Sequence, residues 1–165
     1  MSADYALADE ALLALCQRRR SAGSGPGGQH ANKTATAVTL THNASGIVAQ
    51  SSVHRDGRRN QQVALARLRL RLALAQRGGG DPMWLQPFRA AAGRLKVSAH
   101  NPQFHLVIGY CIDVLAEHDY QISAAAVALA CSSSQLIKVF AVDKEVWAWL
   151  QTTLQQHGHP SLRHP

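Results

Sequence analysis

The sequence predicts an α+β protein in two parts, a small domain with a β-hairpin packed against helices, then a small all-helical domain. Three observations carry this. Residues 34–52 are rich in Thr and Val with period-2 patterning, a Gly-Gly-Gly-Asp-Pro run occupies 78–82, and the apolar patterns beyond it have helical spacing. At 165 residues, with 46% hydrophobic and 16% charged residues, the chain has the composition of one or two folded domains, not of a disordered segment or a large enzyme.

Residues 3–20 are expected to be a helix, because Leu7, Leu12, Leu13 and Leu15 fall near helical spacing. Arg18, Arg19 and Arg20 would then sit in its last turn, where cations suit the dipole. Residues 21–28 hold four glycines, two serines and Pro26, too many breakers for a regular element. Thr36, Val38 and Leu40 alternate along a strand at 34–42, residues 43–46 supply a turn, and 47–52 form the return strand of a hairpin. After a charged loop at 53–59, Asn60 is expected to cap a helix running to about Arg77, with Leu65, Leu68 and Leu72 on one face.

Residues 78–82 read as a flexible linker, which separates a first domain at 1–77 from a second at 83–165. In the second, Asn101 and Pro102 would start a helix ending near His118, with Phe104, Val107, Ile108, Cys111, Ile112 and Leu115 as its core face. Three shorter helices are expected at 123–131, 135–141 and 143–157, the last with a core stripe of Trp147, Leu150 and Leu154. The stretch 124–141 has helix-turn-helix spacing. Its second helix offers Gln135 and Lys138 alone for base contacts, so generic helical packing is the better reading.

The net charge of +7 makes a polyanion the first partner to consider. Eleven of the 17 Lys and Arg residues, against four of the ten acids, precede residue 78, so the surplus lies in the first half. Cys16, Cys111 and Cys131 show neither paired nor metal-ligand spacing and read as buried thiols in a reducing compartment. With an acidic N-terminus and no apolar run of about 20 residues, neither a secretory signal nor a membrane span is expected, and the location expected is cytoplasmic.

The glycine-rich loop carries the chemistry. Residues 23–28 match G-x-G-x-x-G, but a dinucleotide loop follows a strand and opens a helix, the reverse of the order expected here. Pro26 also removes an amide donor. The longer run Gly25-Pro26-Gly27-Gly28-Gln29-His30-Ala31-Asn32-Lys33-Thr34, followed by Thr41-His42 and Ser45-Gly46-Ile47-Val48, resembles the catalytic domain of class I peptide chain release factors. The resemblance covers about residues 21–77. Ala31 stands where that family usually has Val, and Arg55-Asp56-Gly57 replaces an Arg-Ser-Gln type sequence.

The resemblance implies hydrolysis of the ester between a nascent peptide and tRNA at the peptidyl transferase centre of the large ribosomal subunit. Gly27 and Gly28 would let the backbone approach the ester closely. The Gln29 amide would stabilise the charge that develops on oxygen while its side chain shapes the water site. Gly25, Pro26, His30, Asn32 and Lys33 would dock the loop on ribosomal RNA, and Arg55, Arg58, Arg59, Arg67 and Arg71 would bind phosphates. A bracing role for His30 and Asn32, and a merely solvated face for the helix arginines, stay open. No cofactor or metal is called for, and the implied partners are the ribosome and peptidyl-tRNA.

Codon-reading release factors carry large further domains, so a chain of this length is expected to be a short, codon-independent member that rescues stalled ribosomes. Residues 158–165 hold Arg163 alone as a permanent charge, unlike the basic tails of short rescue factors. A non-catalytic ribosome- or tRNA-binding factor is the alternative, and a helix-turn-helix DNA regulator the outsider.

Overall fold

A computed structural model describes residues 3–22, 36–90 and 94–165. The chain divides into two compact units, Asp4–Leu72 and Ala73–Pro165, the second also taking in Ala3. The fold is α+β, with the sheet in the first unit and the second built chiefly of helices.

In the first unit a 3-10 turn, Asp4–Ala6, leads into helix α1, Asp9–Ala14, then strand β1, Cys16–Ser21. Strands β2, Ala37–His42, and β3, Val48–Ser51, complete an antiparallel sheet in the order β1-β2-β3. The expected helix over 3–20 is therefore wrong for its second half. From Gln17 to Ser21 the chain offers no apolar residue to continue a helical stripe, and its backbone finds six partners along β2, from Cys16 opposite His42 to Ser21 opposite Ala37. The arginine triplet sits on an edge strand, where charge also deters further strand pairing.

The hairpin of β2 and β3 is as expected, with Val38 opposite Ser51 and Leu40 opposite Ala49. Its turn closes through the Gly46 amide on the His42 carbonyl at 2.8 Å, with Gly46 at a φ of +69° that favours glycine. Helix α2, Gly57–Ala75, spans the inner face of the sheet. Val38, Leu40 and Ala49 from the strands and Ala64, Leu68 and Leu72 from α2 are all fully buried. Within the same unit the half-turn of chain before α1 is tied down by Arg69, whose buried guanidinium donates to the Tyr5 carbonyl at 2.6 Å and pairs with Asp9 at 2.7 Å.

In the second unit a 3-10 segment, Pro82–Phe88, precedes a short antiparallel contact between Arg89 and Leu95. Helices α3, Phe104–Glu117, α4, Ile122–Ala128, α5, Ser133–Ala141, and α6, Lys144–Gln156, follow. Ser132 caps α5 in a capping box with Gln135, and Asp143 caps α6. Helix α3 begins later than expected, because Asn101 receives the Gln103 and Phe104 amides in a turn instead of capping the helix. Val146, not Trp147, joins Leu150 and Leu154 in the core. Trp147 is half-buried and meets His164 edge-on, ring centroids 5.0 Å apart. Trp149 stacks on Phe140 and lies under the Arg77 guanidinium at 5.2 Å.

The glycines at 78–80 form a fitted segment, not the free tether their composition suggests. The Asp113 carboxylate, nearly buried on α3, accepts the amides of Gly78, Gly79 and Gly80 at 2.9, 3.1 and 2.8 Å. A Cβ on Gly80 would lie 2.9 Å from the Tyr110 Cα, so no larger residue fits. Among the described residues no single helix is long and apolar enough to cross a membrane.

Candidate functional site

Gly25, Pro26, Gly27, Gly28, Gln29, His30, Asn32 and Lys33 lie outside the described residues. The structure does show the frame from which they emerge. Residues 22–36 connect the paired ends of β1 and β2, where Ser21 faces Ala37 and Arg20 faces Val38. Paired antiparallel residues stand about 5 Å apart, so the connection leaves the sheet and returns to it at neighbouring points.

Its return point is fixed by Asn60. The side chain of Asn60 is fully buried and uses all four of its hydrogen-bonding positions. Its Nδ2 donates to the Thr36 and His54 carbonyls, each at 2.7 Å, while its Oδ1 accepts from the Ser51 hydroxyl at 3.1 Å and the His54 amide at 2.9 Å. One residue thus joins the base of the connection, the end of β3, the loop after it and α2. The expectation that Asn60 caps α2 is corrected: the helix starts at Gly57, four residues earlier than a cap at Asn60 would give, and Asp56 takes the Arg58 amide at 2.7 Å. A buried Asn inside a helix has no distinctive local pattern, so sequence reading missed this role.

Five exposed arginines belong to this end of the unit. Arg55, Arg58 and Arg59 flank the start of α2, next to Asn60, and Arg19 and Arg20 lie on β1 approaching the connection. Among the described residues none of the five is paired with a carboxylate. Arg55, Arg58 and Arg59 lie close in sequence at the start of α2; Arg20, opposite the buried Val38, is on the α2 face of the sheet, and Arg19, opposite Thr39, is on the other face, where the expected helix had not placed it. Their signal was present in the run of three arginines directly before the glycine-rich segment. Such a cluster attracts phosphates without regard to base sequence.

Arg67 and Arg71 do something different. Arg67 donates through Nη1 to the Gln50 carbonyl at 2.6 Å, and Arg71 to the Val48 carbonyl at 2.5 Å. These carbonyls are on β3, the other edge strand, so the two side chains cover a sheet edge from α2. Their i, i+4 spacing matches alternate residues of the strand. Of the phosphate-binding set expected from the sequence, these two are held within the fold.

The ionisable groups with displaced values lie away from the connection. Cys16, at the opposite end of β1, donates to the Leu12 carbonyl at 3.1 Å, and burial raises its thiol pKa. Burial pushes the Cys111 thiol up to about 12 and raises that of Cys131. Cys111 is buried as the sequence suggested, while Cys16 and Cys131 are half-buried.

Residues 15–79 match the model of the RF-1 domain family. Peptide chain release factor 2 of Lactiplantibacillus plantarum is 51% identical over 49 residues, covering 30% of this chain and 13% of that protein. Mitochondrial peptide chain release factor 1 of Kluyveromyces lactis is 52% identical over 54 residues, covering 33% and 14%. Peptide chain release factor 1 of Xylella fastidiosa is 41% identical over 54 residues, covering 33% and 15%. The matches span about one seventh of the length of these curated relatives. No solved structure matches the chain. Residues 15–79 of this chain are thus similar to the RF-1 domain of peptide chain release factors.

Proposed function

We propose that this protein hydrolyses the ester of peptidyl-tRNA on the ribosome, through the Gly27-Gly28-Gln29 segment, without reading a stop codon. The observation that carries the reading is the match of residues 15–79 to the RF-1 domain, with the Gly-Gly-Gln run on the connection between β1 and β2. The frame suits that task. The connection that carries the glycines is gathered at its base by the Ser21–Ala37 pair and by Asn60.

In this mechanism the Gln29 backbone amide donates to the oxygen on which negative charge develops, and its side chain orients the attacking water. Glutamine has no basic group at neutral pH, so the protein contributes position, and RNA groups at the peptidyl transferase centre complete the proton transfers. Arg20, Arg55, Arg58 and Arg59 hold the base of the loop against ribosomal RNA phosphates. The described chain beyond the release-factor segment belongs to a compact helical unit, Ala73–Pro165.

The test of codon independence is peptide release from ribosomes carrying a sense codon, a stop codon or no codon in the decoding site. Equal release from all three is expected. Release confined to stop codons would overturn that part of the reading.

A further inference from the structure

The helical unit carries a groove that the release-factor segment does not account for. It lies between Ala90 and residues 94–97 on one side and helix α5 on the other, with a volume of about 550 Å³. Residues 88–90 and 94–96 pair as a short antiparallel ribbon. Its Ala90 amide donates to the Arg94 carbonyl at 2.7 Å, and its Lys96 amide to the Phe88 carbonyl at 3.0 Å. Strand-like alternation then turns Leu95 and Val97 inward, 6% and 7% exposed, and leaves Arg94 and Lys96 outside.

From the other wall α5 presents Lys138, one turn beyond Gln135, while Val139 lies buried beneath. The groove is thus floored by branched aliphatic side chains and rimmed by three cations, with no carboxylate in its lining. Among the described residues, Arg94, Lys96 and Lys138 form no ion pair. This concentration is notable because residues 78–165 have as many acids as Lys and Arg together.

We propose that this groove binds a single-stranded segment of RNA, with Arg94, Lys96 and Lys138 on successive phosphates and the aliphatic floor against a ribose or base face. Charge complementarity selects a polyanion, and the apolar floor selects a strand whose bases are unstacked over a duplex that shows only phosphates. Helices α4 and α5 do meet at 100°, as in a helix-turn-helix. Yet the lining contains cations from both the ribbon and α5, so a recognition helix entering a major groove would leave Arg94 and Lys96 unused. The choice of RNA as the polyanion rests on the function proposed above.

The test is fluorescence anisotropy of the full chain with a labelled 12-nucleotide single-stranded RNA and with duplex DNA, over a series of salt concentrations. The triple variant Arg94→Gln, Lys96→Gln, Lys138→Gln is compared with wild type, its fold checked by circular dichroism. Three lost phosphate contacts are expected to flatten the dependence of log affinity on log salt by about 2. The double variant Arg58→Gln, Arg59→Gln should produce its own, additive change. Photo-crosslinking of a 4-thiouridine RNA to the wild-type chain should label peptides from 94–97 and 135–142. An unchanged salt slope in the triple variant, crosslinks confined to residues 4–72, or tighter binding of duplex DNA would each overturn the proposal. Binding is read without peptide release, so failure of the release activity and failure of this groove are separate results.

Discussion

The Asn60 side-chain amide donates to the Thr36 carbonyl at 2.7 Å, tying α2 to the point where the Gly-Gly-Gln connection rejoins the sheet. Because Asn60 is fully buried and also serves Ser51 and His54, its loss strands several polar groups away from water. Asn60→Ala is expected to lower stability by about 3 kcal/mol, measured by urea denaturation. Peptide release should fall by more than the loss of folded protein explains. A change below about 0.5 kcal/mol would contradict the assignment.

The arginines of the first unit separate into two groups with different readouts. Arg67→Gln and Arg71→Gln should each cost about 1 kcal/mol of stability, because each removes a donor from the β3 edge. Arg58→Gln and Arg59→Gln should leave the melting temperature nearly unchanged and weaken ribosome binding most at low salt, the gap to wild type closing as the salt concentration rises. Finding the reverse pattern would show that the edge contacts carry little and that α2 docks through its middle.

Asp113 and the three glycines it binds make a second structural test. Gly80→Ala places a Cβ against the Tyr110 backbone and the Asp113 carboxylate, and should destabilise the helical unit by about 2 kcal/mol or more. Asp113→Ala should be similarly harmful, since a carboxylate accepting backbone amides makes stronger bonds than a neutral partner. Gly78→Ala should be milder: nothing lies within 4 Å of its would-be Cβ, and only its φ of +74° opposes a side chain. Thermal melts of the three variants check this order.

Cys111 gives a pH-dependent readout. Burial holds its thiol at about 12 against an ordinary 9.0, so the folded state keeps a proton that the unfolded chain loses first. Stability from this group is whole below about pH 9 and declines as the pH rises toward 12. Native protein labelled with a maleimide at pH 8 should therefore react at Cys16 and Cys131 before Cys111, as mass spectrometry would reveal. Labelling of Cys111 at the rate of the other two would contradict its burial.

Much of this architecture was legible in the sequence. The hairpin followed from the alternation of Val38 and Leu40, and the helices expected at 135–141 and 143–157 form at Ser133–Ala141 and Lys144–Gln156, because those signals are local. The arginine strand β1 was not legible, since an exposed edge strand needs no alternating apolar residues and its identity comes from pairing with β2. Asn60 was seen but misassigned: a capping residue and a buried crosslink are chemically the same side chain, and only the surrounding segments decide between them. The exchange of Trp147 for Val146 in the core reflects a rotation of α6 by about one residue, which periodicity alone does not fix. The Gly-Gly-Gln residues rest on sequence throughout, and the structure contributes the frame beneath them.

The most direct measurement of the central claim is release of labelled peptide by wild type and Gln29→Ala. It should be run in parallel on stalled ribosomes, isolated large subunits and free peptidyl-tRNA, with ribosome binding recorded for both proteins. The account predicts release by wild type on a ribosomal particle, release lowered at least tenfold by Gln29→Ala, about 1.4 kcal/mol in the barrier, and binding unchanged. Equal release by both proteins, or none by wild type on any substrate while binding persists, would contradict it and leave a ribosome-binding factor in place of a hydrolase.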